Sequence, residues 1–269
     1  MLYERDYLLG LTEIENQQYQ DVTGRKFGEK RRSGFGSVNN LLAYPKAARM
    51  CLSLFPNNYL DVAELRDTER LITANEEFFS LLNDEACTER NILNFIKDKK
   101  YYHIIGSLIL GLSINTGNHG AYLFPEFQLG NSYKADYLIM GESSGGYEFV
   151  FVELESPYGK ITLKDGQLGE EFRDGISQLE DWRRWLPTNY ISFGEIMRKY
   201  KNSSLDLPEE FYTLDMSRFH YVVIAGRRTD FKDKTYIIKR EKKKTDDINI
   251  IHYDNLFDFS NNLIGKITY

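Results

Sequence analysis

The stretch Tyr147–Lys160, YEFVFVELESPYGK, decides how this chain is read. Side chains alternate along a strand, so Phe149, Phe151, Glu153 and Glu155 share one face and Val150, Val152 and Leu154 the other. A half-solvated strand carries polar residues all along one face. Here two aromatic positions are followed by two acids at the very end. Two residues of strand rise put Glu153 and Glu155 roughly 7 Å apart, close enough to repel or to share a cation. Taken alone, this end fits either a strand leaving the core with both acids solvated or a site that collects negative charge.

Working outward, a three-strand group comes first. Tyr122–Leu129, a run from Ala135–Asp136 to Met140, and Tyr147–Leu154 read as strands, with GESSGG (141–146) as the turn between the second and third. That hairpin runs antiparallel, so Asp136 falls at the same end as Glu153. Three carboxylates then converge, which argues against simple solvation. Downstream, Glu170–Leu186 is patterned as a buried helix with Gln178 on its second stripe, a glutamine that suits a site or an exposed surface equally. Asn189–Met216 reads as loop-rich. His220–Ala225 reads as a buried strand, and the intervening helix implies a crossover and a parallel pair. A helix over Thr235–Glu241, a strand over Ile248–His252 and a helix over Asp254–Ile264 complete an α/β chain whose mixed sheet is flanked by helices.

Upstream, residues 1–82 read as a small helical N-terminal module, and 83–269 as the domain that carries the chemistry. Helical patterns start at Pro45, where proline is tolerated, and run over Val62–Leu82. Between Thr23 and Gly36 glycine and charge concentrate in a loop-like stretch that includes Lys30, Arg31 and Arg32. Asp84 or Thr88 is placed to cap a helix whose first turn holds Glu89, where the helix dipole favours an acid.

The 269 residues are 42% hydrophobic and 14% aromatic, enough for a real core. Cys51 and Cys87 show neither metal-ligand pairing nor a disulfide framework, which suits a reducing cytoplasm. The N-terminus lacks a signal-peptide pattern, and the longest apolar run, Ile104–Leu112, is too short to span a bilayer. Net charge is −6, against a nonspecific nucleic-acid binder, yet positive charge clusters locally, most densely from Lys232 to Lys244. That cluster alone fits a solvated surface. No glycine-rich phosphate loop, zinc spacing or nucleophile elbow appears. The four histidines are scattered and read as structural.

An acid on one strand facing an acid at the end of its neighbour is an arrangement that holds Mg²⁺, a hard cation that takes one or two carboxylates plus water and substrate phosphate. Six ordered pieces carry a resemblance: TERNILNFI (88–96), PEFQLGNSYKADYLI (125–139), VELESP (152–157) with Lys160, DGISQLEDWRRWL (174–186), VVIAGRR (222–228) and INIIHYDNL (248–256). In this order they resemble the C-terminal domain of the Shedu antiphage-defence proteins, of the PD-(D/E)xK or restriction-endonuclease-like superfamily. The resemblance implies a restriction-endonuclease-like sheet and a cytoplasmic, Mg²⁺- or Mn²⁺-dependent endonuclease acting on double-stranded DNA as a homo-oligomer. It matches Asp136 and Glu153 to the metal ligands, Glu89 to an acid that completes the metal shell through water, and Gln178 to a glutamine facing the site. Glu155 departs from the pattern, because the third position of E-x-K is normally lysine. Lys160 resembles a lysine found after the E-L-E-x-P variant, with Lys164 a weaker substitute. Arg227, Arg228 and Lys164, with the Lys232–Lys244 cluster, are candidate phosphate contacts. Glu155 in the lysine position also leaves a second reading open, a catalytically silent nuclease fold that binds DNA or serves as an oligomeric scaffold. A glycosidase-like carboxylate pair fits less well, since two acids on one side of a hairpin do not straddle a glycosidic bond.

Overall fold

The structure is a computed structural model that describes residues 1–23, 45–114 and 120–269. The basic loop around Lys30–Arg32 and the turn expected at Thr116–Asn118 lie outside the described residues.

Five strands form one sheet in sequence order: β1 (Gly120–Leu129), β2 (Tyr133–Ser143), β3 (Gly146–Leu154), β4 (Phe219–Ile224) and β5 (Ile248–Ile251). The pairs β1–β2 and β2–β3 are antiparallel, while β3–β4 and β4–β5 are parallel. The expected hairpin and crossover are both present. Pairing reaches Ser143–Gly146, so the turn is tighter than the GESSGG reading. Among the described helices are α1 (Glu13–Thr23), α2 (Lys46–Leu52), α3 (Thr68–Leu82), α4 (Glu89–Lys99), the short α5 (His103–Gly106) and α6 (Leu108–Gly111), α7 (Glu170–Tyr200), α8 (Asp233–Asp246) and α9 (Tyr253–Leu263). None is long and apolar enough to cross a membrane.

Alternation along β3 sorts the core into two layers. Phe149 and Phe151 join the cluster under α7 with Phe172, Leu179, Trp182 and Phe193. Val150, Val152 and Leu154 join the other, with Leu71, Phe78, Ile92, Ile96 and Leu256 from α3, α4 and α9. The segment before residue 83 contributes to both clusters, through Met50 and Phe55 in one and Leu65 to Leu82 in the other. Hydrogen bonds from Asn75 to Asn261 and from Ser260 to Asn75 fasten α3 to α9.

Three element boundaries differ from the sequence reading. Val62–Leu82 is interrupted, because the Asp67 side chain accepts from the Arg70 N–H and starts α3 anew after a 3-10 turn. Residues 190–200, read as loop, continue α7 beyond Pro187, with non-helical geometry only at Asn189 (φ −128°, ψ 21°). There the Asn189 side-chain amide donates to the Trp185 carbonyl at 2.9 Å and occupies the acceptor the broken backbone bond would leave open. Tyr190, Phe193 and Met197 supply the apolar face that holds the second segment on the core. Finally, α8 extends over Asp233–Asp246, longer than Thr235–Glu241.

Candidate active site

The end of β3 is where three neighbouring elements separate. The β2–β3 ladder stops at Tyr137–Val152. One step further, the Leu154 N–H donates 2.8 Å to Asp136 Oδ2 instead of to a backbone carbonyl. On the other side of β3 the ladder persists, and the Glu155 N–H donates 2.8 Å to the Ile224 carbonyl. The separation coincides with a break in β1. Glu126 has a left-handed backbone (φ 51°), and the β1–β2 register skips Glu126 and Asp136 between Pro125–Tyr137 and Phe127–Ala135. Phe124 and Phe127, three apart, consequently enter the same core layer, which an unbroken strand forbids.

Three carboxylates lie at this opening, each nearly out of solvent: Asp136 is 9%, Glu153 7% and Glu155 9% exposed. Burial raises the pKa of all three. Asp136 is pushed up by desolvation first and then by Glu89, against its bond from Leu154. Glu153 is pushed up by desolvation and then by the charges of Asp136, Glu155 and Glu89. Glu155 rises to about 8, from desolvation and then from Glu89, Glu171, Asp174 and Asp136. Glu153 Oε2 is buried with no hydrogen-bond partner among the described residues, a costly state for an acid. Their convergence is the expectation drawn from the hairpin.

The remaining predicted residues divide. Glu89 stands in the first turn of α4, behind the Thr88 cap, and its charge acts on all three acids. Its own pKa is raised by burial and by Glu171, against Arg90 and Lys134. Gln178 comes from α7 and donates to Glu155 Oε1 at 3.4 Å. One turn earlier, Gly175 makes the approach possible. A Cβ there would meet Val223 at 2.6 Å and the Glu155 side chain at 3.0 Å, so a larger residue would force α7 away from the site. The Tyr253 hydroxyl donates 2.7 Å to the Glu155 carbonyl and fixes the backbone of the motif.

Lys160 is not brought to the acids. Its ammonium donates to Glu170 Oε2 at 2.5 Å, with the side chain 75% exposed, because the loop after Pro157 turns toward the start of α7. Lys164 is likewise exposed, and its backbone carbonyl accepts from Lys232 at 3.2 Å. The cations that act on Asp136 and Glu89 are instead Lys134 and Arg90, which the sequence reading passed over. Lys134 sits two residues before Asp136 on β2 and pairs with Glu126 at 2.9 Å. Arg90 follows Glu89 and lines, with Lys97, Glu126 and Asp136, a small hollow beside the carboxylates. Spacing offered one cue, the two-residue step from Lys134 to Asp136.

Arg227 also departs from expectation. Its guanidinium pairs bidentately with Asp254 (3.0 and 3.2 Å) and donates to the Tyr158 hydroxyl at 3.0 Å, to Asn83 and to the Leu82 carbonyl. This arginine ties α3, the motif loop and α9 together, so a phosphate contact gives way to a structural role. Arg228 is more exposed and pairs with Asp258.

All the donors gathered at the strand end are carboxylate oxygens, the set a hard divalent cation takes, and the orphaned Glu153 oxygen fits one. No three His, Cys, Asp or Glu side chains among the described residues form a ready-made metal-holding group. The fit therefore rests on the pair Asp136 and Glu153.

A mixed sheet whose central strand ends in buried acids, covered by helices on both faces, defines an α/β protein compatible with the nuclease-like class. The chain matches the family model described as Shedu protein SduA, C-terminal, over residues 86–257, and it belongs to that family. Membership points to antiphage defence. No curated protein matches the chain.

Proposed function

We propose that this protein is a divalent-cation-dependent endodeoxyribonuclease of antiphage defence, with double-stranded DNA as substrate and a homo-oligomer as the working form. The observation that carries this reading is the burial of Asp136, Glu153 and Glu155 together at one strand end, with a Glu153 oxygen left unpartnered among the described residues. Mutual repulsion of that kind destabilises a fold unless a cation is meant to relieve it. In this reading Asp136 and Glu153 would hold Mg²⁺ or Mn²⁺, which when bound would supply Lewis acidity and an acidified water. Glu89, whose charge acts on all three acids, would add to the negative field that favours a cation there. Gln178 orients Glu155, and Tyr253 holds the backbone beneath it. Lys134 and Arg90 supply positive charge beside Asp136. Exposed cations of α8 and Arg228 meet the DNA backbone, giving binding that weakens with salt.

One observation favours a second reading, a silent nuclease fold that binds DNA or scaffolds an oligomer. An acid occupies the lysine position, and Lys160 points outward to Glu170. Purified protein with Mn²⁺ and linear or nicked DNA separates the two. The enzyme reading expects cleavage by wild type that Asp136→Ala abolishes, with DNA binding retained. Equal inertness of both proteins, with binding intact, refutes it.

A further inference from the structure

On the N-terminal side, Tyr3, Lys46, Asp61, Glu64, Arg70 and Lys100 help line a cleft of about 530 Å³, within the size range of small-molecule sites. None of the strand-end acids belongs to it. Its acids are deeply buried, with Asp61 1% and Glu64 7% exposed. Buried charges persist when they are closely paired, and around Glu64 the pairing is loose. Asp61 is directly held, by Arg49 at 2.6 Å and by the Ala63 N–H at 3.1 Å. Lys46, by contrast, stands 3.6 Å from Asp61 and 3.9 Å from Glu64, and Arg70 stands 3.7 Å from Glu64 Oε2. Each separation exceeds a direct N–H···O bond of about 2.7–3.2 Å. Among the described residues, Glu64 Oε2 is buried with no hydrogen-bond partner.

An atom that closes these gaps must accept from an ammonium or guanidinium and donate to a carboxylate. Water and hydroxyl groups do both, whereas a protonated amine cannot accept and a fully ionised anion cannot donate, so a ligand that takes the place of water here is one that brings hydroxyls. Ribose offers two adjacent hydroxyls, and a carboxylate is a recurrent partner for them. Near the same cleft, Lys100 pairs with Glu4, which is 89% exposed, so its ammonium can turn to a phosphate with little loss. We propose that this cleft binds a ribose phosphate, as carried by a nucleotide, with its hydroxyls set among Glu64, Lys46 and Arg70 and its phosphate at Lys100.

Calorimetric titration of the full chain tests this with AMP, ribose 5-phosphate, 2′,3′-dideoxy-AMP and inorganic phosphate. The expected result is saturable binding of AMP, weakened by about tenfold or more when the hydroxyls are absent, the usual cost of a lost bond to a charged group. Lys46 is 46% exposed, and Lys46→Ala, checked for an unchanged melting temperature, weakens AMP by a similar factor. Glu64→Gln does the same, with melting temperature monitored alongside. Ribose 5-phosphate binding as well as AMP identifies a sugar phosphate as the source, and tighter AMP identifies a nucleotide. Absence of binding at millimolar AMP, equal affinity for the dideoxy compound or for inorganic phosphate, or indifference to Lys46→Ala overturns the proposal.

Discussion

Glu155→Gln is expected to stabilise the metal-free protein, and to do so only above acidic pH. The substitution keeps the shape of the side chain against Gly175 and the contact with Gln178, and it removes one negative charge. In the fold Glu155 ionises near 8 rather than 4.5, through burial and then its acidic neighbours. A folded-state value above the unfolded one means that the folded chain holds its proton longer. Stability is therefore full below the unfolded value near 4.5 and is lost as pH rises through about 8. Each pH unit in that window costs at most about 1.4 kcal/mol, so at pH 7, where the unfolded chain has lost the proton that the fold still holds, Glu155 costs up to about 3 kcal/mol. For a chain of this size that corresponds to a melting shift of several degrees.

Urea unfolding in EDTA at a series of pH values measures this directly. Wild type and variant should coincide near pH 4.5 and diverge steadily toward pH 8, the variant being the more stable. Glu153 also responds to the Glu155 charge, so the variant should show a shallower pH slope overall. Added Mn²⁺ should stabilise wild type by mass action and narrow the gap. Parallel pH profiles for the two proteins in EDTA would refute the idea that these acids are held together at a cost.

Other residues are tested more simply. Lys134→Ala and Arg90→Ala should each slow DNA cleavage by roughly tenfold or more, while Lys160→Ala should change it by no more than about threefold, the expectation for a surface ion pair; the reverse ranking would return the catalytic cation to Lys160. His220 bonds Asp247 at 2.8 Å and Glu148 at 3.0 Å. Burial lowers its pKa, but these two acids outweigh burial and raise it, so its stabilisation is complete below about pH 6.5 and fades as pH rises through the folded value. His220→Asn should thus cost more stability near pH 5.5 than near pH 8.5, and unfolding curves with equal losses at both would contradict the pairing. Arg227→Ala should destabilise by about 3 kcal/mol, since it strands Asp254 and the Leu82 carbonyl, and should leave the salt dependence of DNA binding unchanged; weaker binding with an unaltered melting temperature would mark it as a phosphate contact after all.

What the sequence disclosed, and what it hid, follows from the range of each interaction. The period-two pattern of β3 is local, so the placement of Phe149, Phe151 and both acids on one face could be read directly. Asp136 could be added because a hairpin fixes its own partner strand. The kink at Glu126 was invisible, because a non-glycine residue with positive φ leaves no compositional mark, yet it coincides with the break that lets the Asp136 carboxylate, and not its backbone, meet Leu154. The continuation of α7 past Pro187 was hidden for a related reason: Asn189 repairs the helix with its side chain, and the apolar stripe beyond it is meaningful only once a core layer exists to receive it. Cation placement was hardest to read. A long charged side chain goes where the tertiary field sends it, so Lys160 turned to Glu170, Arg227 turned inward to Asp254, and charge for Asp136 came from Lys134 and Arg90. The acids of this site are set by strand register and the cations by the assembled fold. The departure from E-x-K at Glu155 therefore does not by itself decide whether positive charge reaches the site.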